Sequence, residues 1–155
     1  MSTAPSAADE IRDLLFAYCW HMDHGEFDAL GALFAHASLD DGTTPDAPAI
    51  SGAEAVAALY RNRCILYDDG TPRTKHVCTN AIVELADDGQ RATSRSCFLV
   101  EQQLDDFPLQ PIVGGRYHDH FELVEGRWRF TQRRFFVDLV GDVSRHQREA
   151  LRPQA

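Results

Sequence analysis

The sequence predicts an α+β protein: a cone-shaped barrel in which N-terminal helices close a strongly curved antiparallel sheet. Apolar residues recur at helical spacing through residues 8–24, 27–34 and 53–64, and from residue 74 the pattern changes to the alternation typical of strands. Strands of about a dozen residues should twist and curl strongly in so small a domain. A curled sheet covered by helices encloses a cavity, and cavities bind small ligands.

The first helix has its apolar residues on one side: Ile11, Leu14, Leu15, Tyr18, Cys19 and Met22. Gly25 is expected to end this helix. "EFDALGALF" predicts a second, short helix. Ser51 with Glu54 three residues later predicts a capping box at the start of the third helix.

Four long strands form the predicted sheet. "KHVCTNAIVEL" and "RATSRSCFLVEQQL" are joined by the turn "DDGQ", and "IVGGRYHDHFELV" and "RWRFTQRRFFVDLV" are joined by "EG". "DDFPLQP" is predicted to be a longer loop, as is "GTTPDAPAI" after the short extended segment "ASLDD". The glycine pair at 114–115 predicts a bulge or a sharp bend.

Length and charge limit the classes of function. The 155 residues predict one domain over 8–146, with flexible termini at 1–7 and 147–155. A net charge of −9 disfavours a nucleic-acid partner, and the one basic run, "SRHQREALRPQA", is expected to be a solvated tail. No stretch predicts a membrane span or an export signal, so we expect a cytoplasmic protein with free thiols. Of the four cysteines, Cys19 and Cys97 are expected to be small core residues.

Asp23 and His76 are the candidate catalytic pair. Asp23 continues the row of Leu15 and Cys19 on the buried side of the first helix, where a lone carboxylate is costly. Asp23 either reaches water at the helix end or faces a pocket and pairs with a histidine. His76 opens the first long strand, where its side chain can face the mouth of the cone. A carboxylate beside a histidine fixes the tautomer of the ring and makes it a stronger base.

Other polar and aromatic residues are candidate contacts for a substrate. Arg133, Tyr18 and Tyr117 could stabilise negative charge that develops during proton removal. Asp119 shares a strand face with Tyr117 and could equally hold Arg133 in a structural ion pair. Trp20 flanks the row that contains Asp23. We find no metal triad, phosphate-binding loop or nucleotide motif, so no cofactor is expected.

Several segments together resemble the SnoaL-like branch of the nuclear transport factor 2-like superfamily. They are "IRDLLFAYCWHMDHGEFDALGALF", "TKHVCTNAIVEL", "GGRYHDHFELVEGRWRFTQRR" and "GDVSRH". Within that superfamily the chain resembles scytalone dehydratase, hexachlorocyclohexane dehydrochlorinase and bile-acid 7α-dehydratase. The resemblance implies a catalytic dyad of Asp23 and His76, with Tyr18, Tyr117 and Arg133 at the active site.

These residues predict a cofactor-independent lyase or isomerase that acts on a small, apolar, cyclic molecule. A non-catalytic binding or accessory protein, like the β subunits of ring-hydroxylating dioxygenases, is the main alternative. Epoxide hydrolysis by Asp23, Arg133 and Asp119 and polyketide cyclisation are further alternatives. Apolar stretches such as "FLV" and "FFVDLV" predict a homo-oligomer. The resemblance implies a trimer from the dehydratases, slightly favoured over the dimer of other members.

Overall fold

The computed structural model describes residues 5–40, 42, 48–151 and 153. The elements are α1 (Ala7–Asp23), α2 (Phe27–Ala32), β1 (Ser38–Asp40), β2 (Ile50–Ser51), α3 (Ala53–Arg63), β3 (Thr74–Leu85), β4 (Arg91–Leu104), β5 (Phe107–Val124) and β6 (Arg127–Val140). The predicted α+β class is confirmed. Most of the predicted loop at 42–50, and parts of the predicted flexible termini at 1–7 and 147–155, lie outside the described residues.

The strands of the described residues form one sheet in the order β2-β1-β6-β5-β4-β3. All neighbours are antiparallel except β1 and β6, which are parallel. Register shifts interrupt each of the three long hairpin pairings, and such irregularities bend strands and increase their twist. The sheet remains open, with β2 and β3 at its two edges.

The glycine pair of β5 produces one of these bends, as predicted. The register with β6 shifts between Gly114 and Gly115. A Cβ atom on Gly115 would lie 2.0 Å from the carbonyl oxygen of Phe136 and 2.8 Å from the ring of Phe98. Only glycine therefore allows the backbone of β6 and the inner aromatic ring to approach β5 this closely.

The core lies between α1 and the inner face of the long strands. Along β4 every second residue is buried: Ala92, Ser94, Ser96, Phe98, Val100 and Gln102. Cys97 falls on the other face and is only half-buried, so the expectation that it is a core residue is wrong. Cys19 is 6% exposed in the core, as expected.

The helix starts differ from the sequence prediction. Ser6 and Asp9 form a capping box at α1. The capping box predicted for Ser51 and Glu54 is wrong, because Ser51 stays in β2 and the cap of α3 is Gly52, without a side-chain hydrogen bond. The φ of 90° at Gly52 suits glycine and lets the chain turn directly from strand to helix.

The loop predicted at "DDFPLQP" is also wrong, because β5 already begins at Phe107. Pro108 and Pro111 lack the N–H that a ladder uses, and this normally excludes proline from an inner strand. Here β6 reaches only as far as Val113 of β5, so both prolines lie where β4 is the paired strand among the described residues. No helix in the described ranges has the length and apolar character needed to cross a bilayer.

Candidate active site

A cavity of about 80 Å³ lies between α1, α3 and the inner face of the sheet. Much of its wall is apolar and includes Met22, Phe98, Val100, Val113, Phe135 and Val137. Three tyrosines and two histidines provide polar atoms: Tyr18, Tyr60, Tyr117, His76 and His146. An apolar cavity with a few polar groups is typical of a small-molecule site.

His76 lines this cavity, and Asp23 lies behind it and pairs with its ring. The Oδ1 atom of Asp23 lies 2.6 Å from Nδ1 of His76 and accepts a hydrogen bond of 2.8 Å from the hydroxyl of Thr74. Its Oδ2 atom accepts a hydrogen bond of 2.8 Å from the backbone N–H of His76. The side chains of Asp23 and His76 are 7% and 6% exposed. Of the two alternatives for Asp23, the structure therefore has the one in which it pairs with a histidine.

Local backbone geometry brings the two residues together. Asp23 is the last residue of α1, and Gly25 turns the chain immediately after it with a φ of 67°. A Cβ atom on Gly25 would lie 2.3 Å from the carbonyl oxygen of Gly70, so the loop before β3 packs directly against the helix end. That close approach places the first residues of β3, Thr74 and His76, beside the carboxylate.

The carboxylate of Asp23 is stabilised in its ionised form. Burial tends to raise the pKa of Asp23, but the hydrogen bonds from His76 and Thr74 outweigh burial and lower the pKa below its usual value. An ionised carboxylate only accepts hydrogen bonds, so Nδ1 of His76 carries the proton. Nε2 is then the nitrogen with a free lone pair.

The tyrosines form a connected group beside this pair. The hydroxyls of Tyr18 and Tyr60 lie 2.8 Å apart, and the ring of Tyr117 packs edge-on to Tyr18 at 5.8 Å. Burial raises the pKa of all three above the ordinary tyrosine value, so each keeps its proton. Tyr60 was not predicted from the sequence, since its place on α3 at the apolar spacing indicates only a core residue.

Arg133 and Asp119 lie behind the cavity wall. Nε and Nη2 of Arg133 donate to the two carboxylate oxygens of Asp119 at 2.7 and 2.8 Å, and both side chains are fully buried. The guanidinium stacks over the rings of Tyr18 and Tyr117, at 4.4 and 4.1 Å from their centroids. Of the two expected roles, the structure therefore has the ion pair that supports the tyrosines, and neither residue lines the cavity.

Trp20 does not reach the cavity, which corrects the expectation that it contacts a substrate. Its side chain is 62% exposed and stacks on the ring of His24 at 4.2 Å. The buried side of α1 runs through Leu15, Tyr18, Cys19 and Met22, and two residues beyond Tyr18 a helix has turned by about 200°. Trp20 therefore faces away from the sheet.

His146 lines the cavity although the sequence assigned it to a solvated tail. Its side chain is 2% exposed, and its ring lies 6.2 Å from that of His76. Residues 143–151, called here the C-terminal segment, follow β6 and contribute His146, Gln147 and Leu151 to the cavity wall. The sequence signal was weak, because a basic, polar stretch normally indicates solvent exposure.

The family comparison matches a model described as a SnoaL-like domain over residues 5–134. No curated protein matches the chain. Among solved structures, an NTF2-like protein with a cystatin-like fold from Novosphingobium aromaticivorans is 21% identical, with 87% of this chain and 83% of that chain covered and a TM-score of 0.68.

Two further structures from the same organism represent different functional classes. A proposed scytalone dehydratase is 22% identical, with 93% of this chain and 88% of that chain covered and a TM-score of 0.68. The β subunit of a proposed aromatic-ring-hydroxylating dioxygenase is 18% identical, with 87% and 91% covered and a TM-score of 0.66. Likeness at these identities establishes the fold and leaves the reaction open. Because the family model spans most of the sequence, the chain belongs to the SnoaL-like family, with the NTF2-like, cystatin-like fold.

Proposed function

We propose that this protein is a cofactor-independent lyase or isomerase, of the dehydratase or dehydrohalogenase type, for a small, largely apolar, cyclic molecule. The observation that carries the proposal is the 2.6 Å hydrogen bond between Asp23 and His76 at the wall of an apolar cavity. A buried Asp–His pair of this kind provides a positioned base beside an apolar cavity.

In the proposed reaction, Nε2 of His76 removes a proton from a substrate carbon. The electron pair of the broken C–H bond forms a carbon–carbon double bond, and the leaving group departs with its own bonding electrons. In a dehydration the proton held on His76 then passes to the departing hydroxide, which leaves as water and restores the neutral ring. Asp23 holds the ring of His76 in the tautomer that leaves Nε2 free, and it stabilises the positively charged ring between removal of the proton and its transfer to the leaving group.

The tyrosine pair is suited to hold the negative charge that develops. One hydroxyl of the Tyr18–Tyr60 pair donates to the other, so the second keeps a proton for a substrate oxygen. Arg133 stabilises this charge indirectly, since its guanidinium lies against the ring of Tyr18. Because both oxygens of Asp119 are already bound by Arg133, the water-holding set required for epoxide hydrolysis is not supported.

The experiment is a turnover screen followed by substitution. Purified protein is incubated with cyclic alcohols, ketones and halides, and products of elimination or double-bond migration are detected by mass spectrometry. On the best substrate, His76→Ala and Asp23→Asn should each lower kcat by about 10²–10⁴-fold, the usual contribution of a positioned acid–base group. His36→Ala, at an exposed histidine, is the matched control and should keep full turnover.

Circular dichroism would establish that the variants are folded. Folded His76→Ala and Asp23→Asn proteins that both retain full turnover would eliminate the proposed dyad.

A non-catalytic binding or accessory role is the second candidate, because an apolar cavity can hold a ligand without turning it over. Cavities that bind benzene have volumes of about 150 Å³, whereas this one has about 80 Å³. A cyclic ligand of that size therefore requires part of the wall to move. This candidate predicts ligand binding without turnover, and binding that Asp23→Asn leaves unchanged.

The predicted homo-oligomer remains a prediction. Several large apolar side chains on the sheet are exposed, including Ile82, Leu85 and Leu139 at 54%, 50% and 69%. Exposed apolar residues on one sheet support association with another copy. Light scattering coupled to size-exclusion chromatography would give the mass and distinguish a trimer from a dimer.

A further inference from the structure

We propose that His146 is a second functional histidine, a neutral hydrogen-bond donor that holds an oxygen atom of the substrate opposite His76. The inference rests on the proposed function for the proton transfer and deepens it by naming the substrate class. The ligand would be a small cyclic ketone or alcohol, with its oxygen next to the carbon that loses a proton.

The backbone of the C-terminal segment fixes the position of His146. Its N–H donates to the carbonyl of Val143 at 3.0 Å, and its own carbonyl accepts from the N–H of Ile65 at 2.8 Å. The next residue, Gln147, forms an isolated β-bridge with Cys64 at the end of α3. The carbonyl of Arg145 accepts hydrogen bonds from two side chains, Tyr67 at 2.6 Å and Gln102 at 3.0 Å. The ring is therefore held in the cavity wall by ordered neighbours on both sides.

The side chain of His146 has a buried nitrogen without a hydrogen-bond partner in the part of the chain that the structure describes. Its Nδ1 atom is buried and has no hydrogen-bond partner among the described residues. Buried polar atoms are nearly always paired, so an unpaired one requires an explanation such as a bound ligand. The ring lines the cavity and lies 6.2 Å from the ring of His76, at an angle of 67°. A ligand in the cavity is in reach of both rings.

The surroundings keep the ring of His146 neutral. Burial, the largest cause, and the neighbouring His76 together lower its pKa to about 3, while Asp23 opposes the change. Arg63 is the other basic residue of the cavity wall. A neutral imidazole has one N–H donor and one acceptor, so His146 can polarise an oxygen without carrying charge.

The two histidines therefore have different proposed roles. His76 is paired with a carboxylate and accepts a proton, whereas His146 has no carboxylate partner among the described residues and donates a hydrogen bond to an oxygen. A site built to hydrogen-bond an oxygen rejects an analogue that lacks it, because the buried donor is then left unpaired. A carbonyl or hydroxyl oxygen is the acceptor that this buried donor suits, so the arrangement favours oxygenated substrates.

The experiment compares two ligands of the same shape. Cyclopentanone and methylenecyclopentane differ in having an oxygen or a CH₂ group on the ring, and dissociation constants for both are measured by ligand-observed NMR. The wild-type protein should bind cyclopentanone at least about tenfold more tightly, the difference expected for one satisfied buried donor. His146→Leu should lose this preference, and His146→Gln, which retains an N–H donor, should keep part of it.

His76→Ala separates this inference from the proposed function. That variant should keep the preference for cyclopentanone even though the proposed catalysis is lost, so a failure of catalysis leaves the binding result interpretable. An equal preference in wild type and His146→Leu would overturn the inference, and so would wild-type protein that binds neither ligand or both equally.

A direct measurement covers the case in which His146→Leu does not fold. In wild-type protein labelled with ¹⁵N-histidine, cyclopentanone should shift the ring-nitrogen signals of His146, and those signals should remain characteristic of a neutral imidazole at pH 5. Ring signals that do not respond to cyclopentanone would also overturn the inference.

Discussion

Acidification should destabilise this protein through His146. Burial, with His76 as the second cause, lowers the pKa of His146 to about 3 in the folded protein, against the ordinary value of 6.5. Between these values the unfolded chain binds a proton that the folded protein does not. The contribution of His146 to stability is therefore complete above about pH 6.5 and is lost as the pH falls.

The size of the effect follows from the same two values. Each pH unit below the unfolded pKa removes roughly 1.4 kcal/mol of unfolding free energy, until the folded pKa is reached. Between pH 7 and pH 5 the loss from His146 alone is about 2 kcal/mol. Typical domains have only 5–15 kcal/mol in total, so this is a large fraction. At pH 5 carboxylates are still ionised in both states, and they add little to the change.

The assay is urea unfolding at both pH values, at one protein concentration, for wild type and His146→Gln. Fluorescence of the buried Trp128 reports the transition, and the linear extrapolation gives the free energy in water. His146→Gln removes the titrating group, so its loss between pH 7 and pH 5 should be smaller than that of wild type by about 2 kcal/mol. His36→Gln, at an exposed position, should behave like wild type.

Equal losses for wild type and His146→Gln would refute this reasoning. Such a result would mean that the ring of His146 reaches water or a proton acceptor in the folded protein, and that the C-terminal segment does not seal it into the cavity wall.

Three further predictions concern the sheet and the helix surface. Gly115→Ala should lower the unfolding free energy by at least about 1–3 kcal/mol, because its Cβ would overlap the backbone of Phe136. Gly114→Ala should cost less, because its Cβ would lie at 3.4 Å or more from its neighbours, and thermal melts of the two variants test the difference. Asp119→Ala should cost about 3–5 kcal/mol in urea unfolding because it leaves the guanidinium of the buried ion pair without its partner, and a cost below about 1 kcal/mol would contradict the described geometry. Trp20→Ala should change stability by no more than about 0.5 kcal/mol and leave ligand binding intact, because the side chain is exposed. Loss of binding would show that Trp20 contacts the ligand after all.

Periodicity was sufficient to predict most of the elements. Helical spacing in α1 and strict alternation in β4 each depend on one buried face, so the local pattern reports the structure. The errors arose where a local rule was overridden by neighbours. Ser51 remained in β2 because it pairs with β1, and Pro108 and Pro111 were accepted in β5 where β6 does not extend.

The candidate site was predictable in part. Asp23 was a candidate because a carboxylate continued an apolar row, and His76 because it opened the first long strand; the family resemblance then implied that the two form a dyad. Tyr18 and Tyr117 were expected as phenols that could stabilise developing charge, and the resemblance implied the same; both line the cavity. Tyr60 carried no distinguishing signal, because a tyrosine at an apolar helix position is an ordinary core residue.

By itself the sequence determined the helices, the strands and the buried side of each, because these depend on the spacing of apolar residues along a short stretch of chain. Only the tertiary structure decided which polar groups meet. The contact of Asp23 with His76 joins residues 53 positions apart, and the burial of His146 depends on Ile65 and Cys64 from another part of the chain. Burial, hydrogen-bond partners and protonation are properties of the assembled surroundings, and no local pattern of residues encodes them.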